Sequence, residues 1–595
     1  MHSPKVYGPG RNVLALRKHG QVVLSVLAVT LGLPLFIAAY KRALNPLFGS
    51  VLTEQYLDLV VYSCTALAIV FPRQAIRRIL LGLAVLVQIA PHSTYCVGIY
   101  AARYGGSANG PLICHMLVLA PVVHLSASLV TYFGSRFVVL FGLASGALQS
   151  YSIAELMVHG LSLESRKDYV FLFLGILAYA GWVKVCAAED KLGLMRNGFE
   201  VVSLARQYLR LLFPAVFLLF SVIRPPTLTS YREFPHYSVQ YPLRILSSQE
   251  STTGVIVVGE LLDTLKDTVP DALHSIRFLR ASHSLLGGVW TGDAVVTMGD
   301  VPRTDESGTP LGDSIYCAFV LQEAVRLVNG TSECPDHHCK RALVIGVGTG
   351  IVADALAQHG ISTTLVEVDP AVYYAARRYF GLKHPGDDNV FLEDARGWLE
   401  RRVATLAASS THPPKFDMVV HDCFSGGGVP EHLYTIEFWN ELGAIMTPSG
   451  VVAVNFAGKL GSKSSRAVAT TLLKAFGQCR VFHDYLGAIT EQHLQNEFIN
   501  AVFFCSKSAS PLTFRPSMEG DYLHSYLRRH VLSGLERREL PISLLKNASV
   551  WSAEAEDVFL LTDTDKKLNE WQRADAAEHW RVMRKVLPDI VWETY

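Results

Sequence analysis

Residues 21–40 contain no charged side chain and are flanked on both sides by basic residues. That length matches the roughly 20 apolar residues with which an α-helix crosses the hydrocarbon core of a bilayer. Such a segment strongly restricts the folds that are open to the surrounding chain. The first 225 residues contain further apolar stretches at 55–72, 79–102, 110–133, 137–158, 169–188 and, in shorter form, 211–223. The sequence therefore predicts an all-α polytopic membrane bundle of six or seven spans.

The charge distribution also divides the chain. Residues 1–225 carry 19 Lys/Arg and 8 Asp/Glu, and the remainder carries 34 and 44, so a formal net charge of +1 conceals a basic half and an acidic half. The basic residues beside the apolar stretches favour a cytoplasmic N-terminus. With a cytoplasmic N-terminus, six spans place the second half in the cytosol, and seven spans place it on the opposite side of the membrane. A co-substrate-dependent enzyme is more plausible in the cytosol, so we expect a multi-pass protein with a cytosolic second half. The sequence does not indicate which cellular membrane it occupies.

The second half has the pattern of an α/β protein. Residues 253–300 hold β-rich runs broken by Gly, Asp and Pro, which is typical of a small antiparallel unit. From residue 341 onward strands and helices alternate, which predicts a Rossmann-like parallel sheet covered by helices. We expect four parts: a transmembrane domain (1–225), a small β unit with a linking helix (240–335), a Rossmann-like cofactor-binding domain (336–510) and a C-terminal helical cap (511–595).

A glycine-rich turn follows the first strand of the predicted sheet. The strand at 342–346 runs into Gly346-Val-Gly348-Thr-Gly350, and a helix comes next. Glycine lets the backbone approach a bound nucleotide closely, and Glu367, at the end of the second strand, can accept hydrogen bonds from ribose hydroxyls. Ile351 stands where an NAD-binding loop has a third Gly or Ala. The loop therefore points to an adenosyl sulfonium co-substrate.

Residues 280–510 resemble the spermidine/spermine synthase (aminopropyltransferase) family, within the wider S-adenosylmethionine-dependent methyltransferase fold. The resemblance rests on VIGVGTG, VEVDP, EDARGW and FDMVVHDCFSGGGVPEHLYTIEFW, and the N-terminal membrane domain suggests a membrane-linked branch. It implies that Asp422 is the catalytic base. It implies cofactor-binding roles for Gly346, Gly348, Gly350, Glu367, Asp394 and Ala395. Substrate contacts would come from Tyr316, Ser425 and Glu431.

The chemistry of Asp422 agrees with this resemblance. An alkylammonium nucleophile has no lone pair until it loses a proton, so a carboxylate at the end of a strand is a natural general base. Two positions depart from the family. Thr349 replaces an aspartate that holds the aminopropyl amine, and Ser425 replaces a second acid. Both changes remove negative charge from the expected binding site of the aminopropyl group and the amine. Methyl transfer is therefore an alternative reaction.

Three functions stay open at this point. The first is a membrane-bound transferase that moves an aminopropyl group from decarboxylated S-adenosylmethionine to an amine. The second is an S-adenosylmethionine-dependent methyltransferase acting on a polyamine-like or lipid-soluble acceptor. The third is a non-enzymatic polyamine transporter or sensor. The expected partners are a small-molecule amine and the lipid bilayer, without nucleic acid or metal, and the assembly is left open between a monomer and a homodimer.

Two further patterns concern the cellular compartment. The ten cysteines are scattered and imply no disulfide framework. Asn329-Gly-Thr and Asn547-Ala-Ser match the glycosylation pattern, which matters only if the second half faces a lumen.

Overall fold

The computed structural model divides the chain into two units, Met1–Leu228 and Thr229–Tyr595. The residues that it describes are 31–70, 75–133, 167–197, 226–228, 236–237, 243–262, 275–292, 295, 303–330, 340–408, 414–424, 426–485, 487, 489–546, 556–565 and 567–595.

Regular structure in the described part of the first unit is entirely helical. It comprises α1 (31–48), α2 (Ser50–Glu54), α3 (Leu57–Val70), α4 (Ile76–Cys114), a π-helical segment (His115–Leu119), α5 (Ala120–Phe133) and α6 (Lys167–Asn197). Two helical segments, Ile76–Thr131 and Tyr169–Ala187, are apolar enough and long enough to cross a membrane. The predicted spans at 137–158 and 211–223 lie outside the described residues. The count of six or seven spans therefore stays a prediction.

These helices differ from those of a water-soluble core in what they expose. Large apolar side chains point outward along α3, the π-helical segment and α6, among them Leu59, Val70, Leu117 and Phe173. One buried polar cluster lies inside the unit. The buried His115 ring contacts the Tyr40 hydroxyl at 2.8 Å and the Gln55 carbonyl oxygen at 3.0 Å. Large apolar side chains exposed in a row along helices mark a surface that contacts another apolar phase or partner.

An antiparallel sheet opens the second unit. Its five strands lie in chain order: β1 (His236–Tyr237), β2 (Leu243–Ser251), β3 (Gly254–Leu261), β4 (Ser275–Ala281) and β5 (Ser284–Thr291). The expected small β unit is thus present, and it begins earlier than the β-rich runs indicated, at His236. A two-stranded ribbon follows, formed by β6 (Arg303–Thr304) and β7 (Pro310–Leu311).

The main sheet has eight strands in the order β10-β9-β8-β11-β12-β14-β13-β15. The strands are β8 (Arg341–Ile345), β9 (Ser362–Val366), β10 (Val390–Phe391), β11 (Phe416–His421), β12 (Met446–Lys459), β13 (Gln478–His483), β14 (Phe498–Ser506) and β15 (Glu539–Leu540). Strands β8 to β12 pair in parallel, and β14 lies antiparallel between β12 and β13. β15 adds an edge strand from the region predicted as a helical cap.

Helices cover both faces of the main sheet. They are α7 (Cys317–Gln322), α8 (Ile351–Gln358), α9 (Pro370–Phe380), α10 (Ala395–Ala408), α11 (Ile436–Ala444), α12 (Lys463–Phe476), α13 (Glu491–Asn496), α14 (Tyr526–Ser533), α15 (Ser543–Lys546), α16 (Leu568–Trp571), α17 (Arg573–Val586) and α18 (Asp589–Glu593). One core forms where α10, α11 and α12 pack on one face, and a second where α7, α8 and α14 pack on the other. The predicted Rossmann-like fold of the second half is confirmed.

The small sheet is fixed to the main domain through α9. Asp369 caps α9 by accepting the Ala371 N–H at 2.9 Å. Its carboxylate also accepts from the Ser251 hydroxyl and the Thr253 N–H at the β2–β3 turn. Apolar residues of β3, β4 and β5 pack against α8 and α9. The small sheet is thereby held beside the turn between β8 and α8.

Candidate functional site

The glycine-rich turn after β8 lies directly against the end of β11. Gly346 has a φ of 83°, and a Cβ at this position would lie 2.1 Å from the backbone oxygen of Asp422. Only glycine fits such a conformation and so close an approach. Gly348 and Gly350 complete the turn, and Gly350 precedes α8. The predicted loop and the predicted base are therefore neighbours.

Glu367 is held at this turn by main-chain groups. Its carboxylate accepts the Val347 N–H at 2.7 Å and the Asp369 N–H at 3.0 Å. Burial raises the pKa of Glu367 to about 7, although these N–H groups act in the opposite direction. The acid expected to face a ribose thus lies beside the glycine turn in a fixed orientation.

Asp394 lies at the exposed start of α10. One carboxylate oxygen accepts the Arg396 N–H at 2.9 Å, and the other contacts His432 Nε2 at 2.9 Å. The hydrogen bond from His432 lowers the pKa of Asp394. Ala395 follows as the buried first residue of α10. Asp394 therefore links α10 to the segment after β11, and its predicted role towards the cofactor stays a prediction.

Asp422 comes directly after β11 and accepts a hydrogen bond on each carboxylate oxygen. Gln322 Nε2 donates to Oδ2 at 3.0 Å, and Asn455 Nδ2 donates to Oδ1 at 2.8 Å. Burial raises the pKa of Asp422, and the two amide donors offset part of that effect. The predicted base is thus a carboxylate held in one orientation by residues from α7 and β12.

Gln322 and Asn455 were missed by the sequence-based interpretation. Both are buried, and within the described residues their amide oxygens, Gln322 Oε1 and Asn455 Oδ1, have no hydrogen-bond partner. A buried unpaired carbonyl oxygen is costly, so these atoms are suited to accept N–H groups of a ligand. Asn455 is a polar interruption in an apolar strand, and that signal could have drawn attention to it.

A second carboxylate, Asp484, was also missed. It follows β13, its N–H donates to the Asn500 carbonyl at 3.2 Å, and its Oδ2 accepts from Asn500 Nδ2 at 3.1 Å. Burial raises the pKa of Asp484 to about 6. Asp484 thus repeats at β13 the aspartate–asparagine pair that Asp422 forms at β11.

The three predicted substrate contacts have different outcomes. Tyr316 lies at the start of α7, where burial and then the negative charge of Asp484 raise its pKa, and its hydroxyl contacts Met583 Sδ at 3.9 Å. Glu431 is buried and accepts the Leu568 N–H at 2.7 Å, which ties it to the C-terminal segment. Ser425 lies outside the described residues. Their predicted roles in binding substrate stay predictions.

The C-terminal segment covers the loop after β11. Gln572 exchanges hydrogen bonds with the backbone of Val429, accepting its N–H at 2.5 Å and donating to its carbonyl at 3.2 Å. Gly427 leaves so little room that a Cβ would lie 2.5 Å from Ala576 Cα. The His579 ring packs edge-on against Phe424 at 5.3 Å. Helix α17 and the residue before it therefore pack on the loop that follows Asp422.

Cys479 on β13 and Cys505 on β14 form a disulfide, which the sequence did not predict. The segment Cys334–Cys339 contains cysteine, histidine and aspartate, residue types that bind metals, and lies outside the described residues. Across the part of the chain that the structure does describe, no three His, Cys, Asp or Glu side chains come together as metal ligands.

A Rossmann-like sheet with a glycine turn, a buried acid after the second strand and a strand-end carboxylate has the arrangement in which open α/β sheets bind nucleotide-type ligands. The sequence comparisons agree. Residues 322–483 match the spermine/spermidine synthase domain family. Over 159 residues the chain is 35% identical to the polyamine aminopropyltransferase of Vibrio vulnificus, covering 26% of this chain and 49% of that protein.

A longer match joins the chain to the N-terminal histidine N-methyltransferase of Emericella nidulans. The two are 30% identical over 543 residues, which cover 87% of each chain. A probable spermidine synthase from Corynebacterium glutamicum is similar in structure with a TM-score of 0.35 and 15% identity, covering 52% of this chain and 95% of that chain.

The chain belongs to the family of the Emericella nidulans enzyme, and its second unit carries a spermine/spermidine synthase domain. It is a transferase with a co-substrate of the S-adenosylmethionine type. These parts of the sequence-based prediction are confirmed.

Proposed function

We propose that the protein is an S-adenosylmethionine-dependent N-methyltransferase that acts on an N-terminal histidine. The imidazole ring is the proposed acceptor, because a neutral ring has a free lone pair and an α-ammonium group has none. The observation that carries this proposal is the 30% identity to the Emericella nidulans enzyme over 87% of both chains. That match extends into both units. The aminopropyltransferase matches cover only 26% and 23% of the chain.

The glycine-rich turn supports methyl transfer. Thr349 is buried and uncharged at the position where a spermidine synthase has an aspartate. An aspartate there attracts the free ammonium group of decarboxylated S-adenosylmethionine, whereas it would repel the carboxylate that intact S-adenosylmethionine retains. Threonine removes that repulsion.

The proposed reaction conserves charge and atoms. A neutral imidazole has one ring nitrogen with a free lone pair and one that carries hydrogen. The free nitrogen attacks the methyl carbon, the carbon–nitrogen bond forms, and the carbon–sulfur bond breaks. The positive charge passes from sulfur to the ring, and the proton on the second nitrogen passes to Asp422 as the new bond forms.

Asp422 suits the role of general base in this scheme. The amide groups of Gln322 and Asn455 fix both carboxylate oxygens, so the carboxylate can orient a ring N–H as well as accept its proton. Burial raises the pKa of Asp422 and so makes it a stronger base than an exposed aspartate. Its assignment as the base remains part of the proposal.

The test is product analysis with the purified full-length protein. Incubation with S-adenosylmethionine and a peptide that begins with histidine should add one methyl group to that residue, located by fragment mass spectrometry. Peptides with histidine only at an internal position are the matched control and should stay unmodified. Absence of methylation on the N-terminal histidine, in a preparation shown by calorimetry to bind S-adenosylmethionine, would contradict the proposal.

Aminopropyl transfer is the second candidate, and the spermine/spermidine synthase domain at 322–483 favours it. The same preparation should then consume decarboxylated S-adenosylmethionine in the presence of a panel of di- and polyamines. Aminopropylated amine together with unmodified peptide would replace the methyltransferase proposal by this one.

We infer that the first unit is embedded in a membrane with several spans. Its two long apolar helical segments and its exposed apolar side chains support this inference. The sequence favoured a cytosolic second half. The Cys479–Cys505 disulfide instead favours an oxidising compartment, because the cytosol keeps most thiols reduced. We therefore propose that the second unit faces a lumen or the cell exterior.

A further inference from the structure

We propose that Asp484 forms a second acceptor subsite, which binds the α-ammonium group of the substrate's first residue while Asp422 engages its imidazole ring. This inference rests on the proposed function and deepens it. It explains how the enzyme distinguishes an N-terminal histidine from an internal one.

The two aspartates lie at the same edge of the main sheet. β11 and β12 are parallel, β14 is antiparallel to β12, and β13 is antiparallel to β14. β13 therefore runs in the same direction as β11. Asp422 follows the end of β11 and Asp484 follows the end of β13, so both stand at the carboxyl edge, where ligands of such sheets bind.

Their asparagine partners point to the same face of the sheet. Asn455 lies opposite Val502, and Ala457 lies opposite Asn500, in the β12–β14 pairing. Because side chains alternate along a strand, Asn455 and Asn500 are diagonal neighbours on one face, about 7–8 Å apart. The two aspartate–asparagine pairs are thus adjacent.

Helix α7 connects the two pairs on that face. Tyr316, just before the helix, lies within the electrostatic influence of Asp484, and Gln322, at the helix end, donates to Asp422. β12 and β14 lie between β11 and β13, so the backbones of the two aspartates are three strand spacings, about 14 Å, apart. The two side chains shorten this gap, and a ligand that contacts both carboxylates therefore needs two basic groups several bonds apart, as the ring and the α-amine of histidine are.

The charges of the crevice favour such a ligand. Among the described residues, neither Asp422 nor Asp484 has an ion-pair partner. The positive charge of Arg538 lowers the pKa of Asp484, but the Arg538 guanidinium donates to the Tyr485 carbonyl, at 2.7 Å. The buried oxygens Gln322 Oε1 and Asn455 Oδ1, unpaired in the described structure, add acceptors for ligand N–H groups. A cationic ligand with several N–H groups matches this arrangement.

The test compares a peptide that begins with histidine with its des-amino counterpart, in which imidazolepropionyl replaces the first residue. Wild-type enzyme should prefer the free amine. Asp484→Asn should raise KM for the free-amine peptide about 10- to 100-fold, as expected for the loss of a charge-assisted hydrogen bond. It should leave kcat and the constants for the des-amino peptide close to those of wild type.

Two controls separate this role from a structural one. Asp387→Asn alters a fully exposed carboxylate and should leave KM and kcat unchanged for both peptides. Asp484→Glu retains the charge and should recover part of the affinity for the free amine. Equal losses on both peptides, or wild-type enzyme that does not discriminate between them, would overturn the subsite and leave the proposed function standing. Wild-type enzyme that methylates neither peptide would overturn both.

Discussion

At Asp422, burial and hydrogen bonding act on the same carboxyl group in opposite directions. Burial is the larger effect and raises its pKa above the ordinary value, while Gln322 and Asn455 lower it. Only the ionised form can accept a proton, so we expect kcat to fall as the pH falls through this raised pKa. The pH dependence of folding stability has the opposite sign. The folded carboxyl binds a proton more tightly than the unfolded one, so stability decreases as the pH rises between the two pKa values.

The corresponding variant is Asp422→Asn. Loss of a general base should lower kcat by about 10²- to 10⁴-fold and abolish the acidic limb of its pH profile. The melting temperature should not fall, because the substitution removes a buried charge. Asp387→Asn serves as the matched exposed control. A kcat that remained at the wild-type level would exclude Asp422 as the base.

Residues of the site differ in how far the sequence reveals them. The glycine turn, Glu367 and Asp422 are predictable because each directly follows a recognisable strand. Gln322 lies 100 residues before Asp422, and Asp484 belongs to a different strand. Because β14 lies antiparallel between β12 and β13, β13 runs parallel to β11 and Asp484 lies at the same edge of the sheet as Asp422. That strand order is a long-range property, which local periodicity does not encode.

At the scale of elements, α16 and α17 do more than cap the domain. The sequence predicts helices after residue 511 from their periodicity, but it does not indicate which surface they cover. The hydrogen bonds of Gln572 to Val429 and the close approach of Ala576 to Gly427 hold these helices on the loop after β11. These contacts fix the position of the loop that follows Asp422.

Gln572→Ala tests this dependence. The change leaves the Val429 N–H and carbonyl without their buried partner, which should cost about 1–3 kcal/mol of unfolding free energy. We also expect a higher KM for the acceptor with a nearly unchanged affinity for S-adenosylmethionine. Asn569→Ala, which removes an exposed amide three residues away, is the control. An unaltered KM in a destabilised variant would limit α16 and α17 to a structural role.

At the scale of the whole molecule, the compartment of the second unit can be measured directly. Asn329 is exposed and begins an Asn-Gly-Thr sequence. If the second unit faces a lumen, full-length protein from eukaryotic cells should carry a glycan that a glycosidase removes and that the Asn329→Gln/Asn547→Gln variant lacks. Cys479 and Cys505 should resist thiol labelling until a reductant is added. An unglycosylated protein with both thiols reactive would restore the cytosolic placement that the sequence favours.

The contact between Gln572 and Val429 joins positions 143 residues apart in the chain. Contacts of such separation form slowly, because a long loop must close before they contribute. The glycine turn and β11 are translated well before α17, so a growing chain can form the proposed co-substrate site before α17 packs on the loop after β11. We therefore expect folding to produce first a form that binds S-adenosylmethionine without selecting an acceptor, and to add selectivity last.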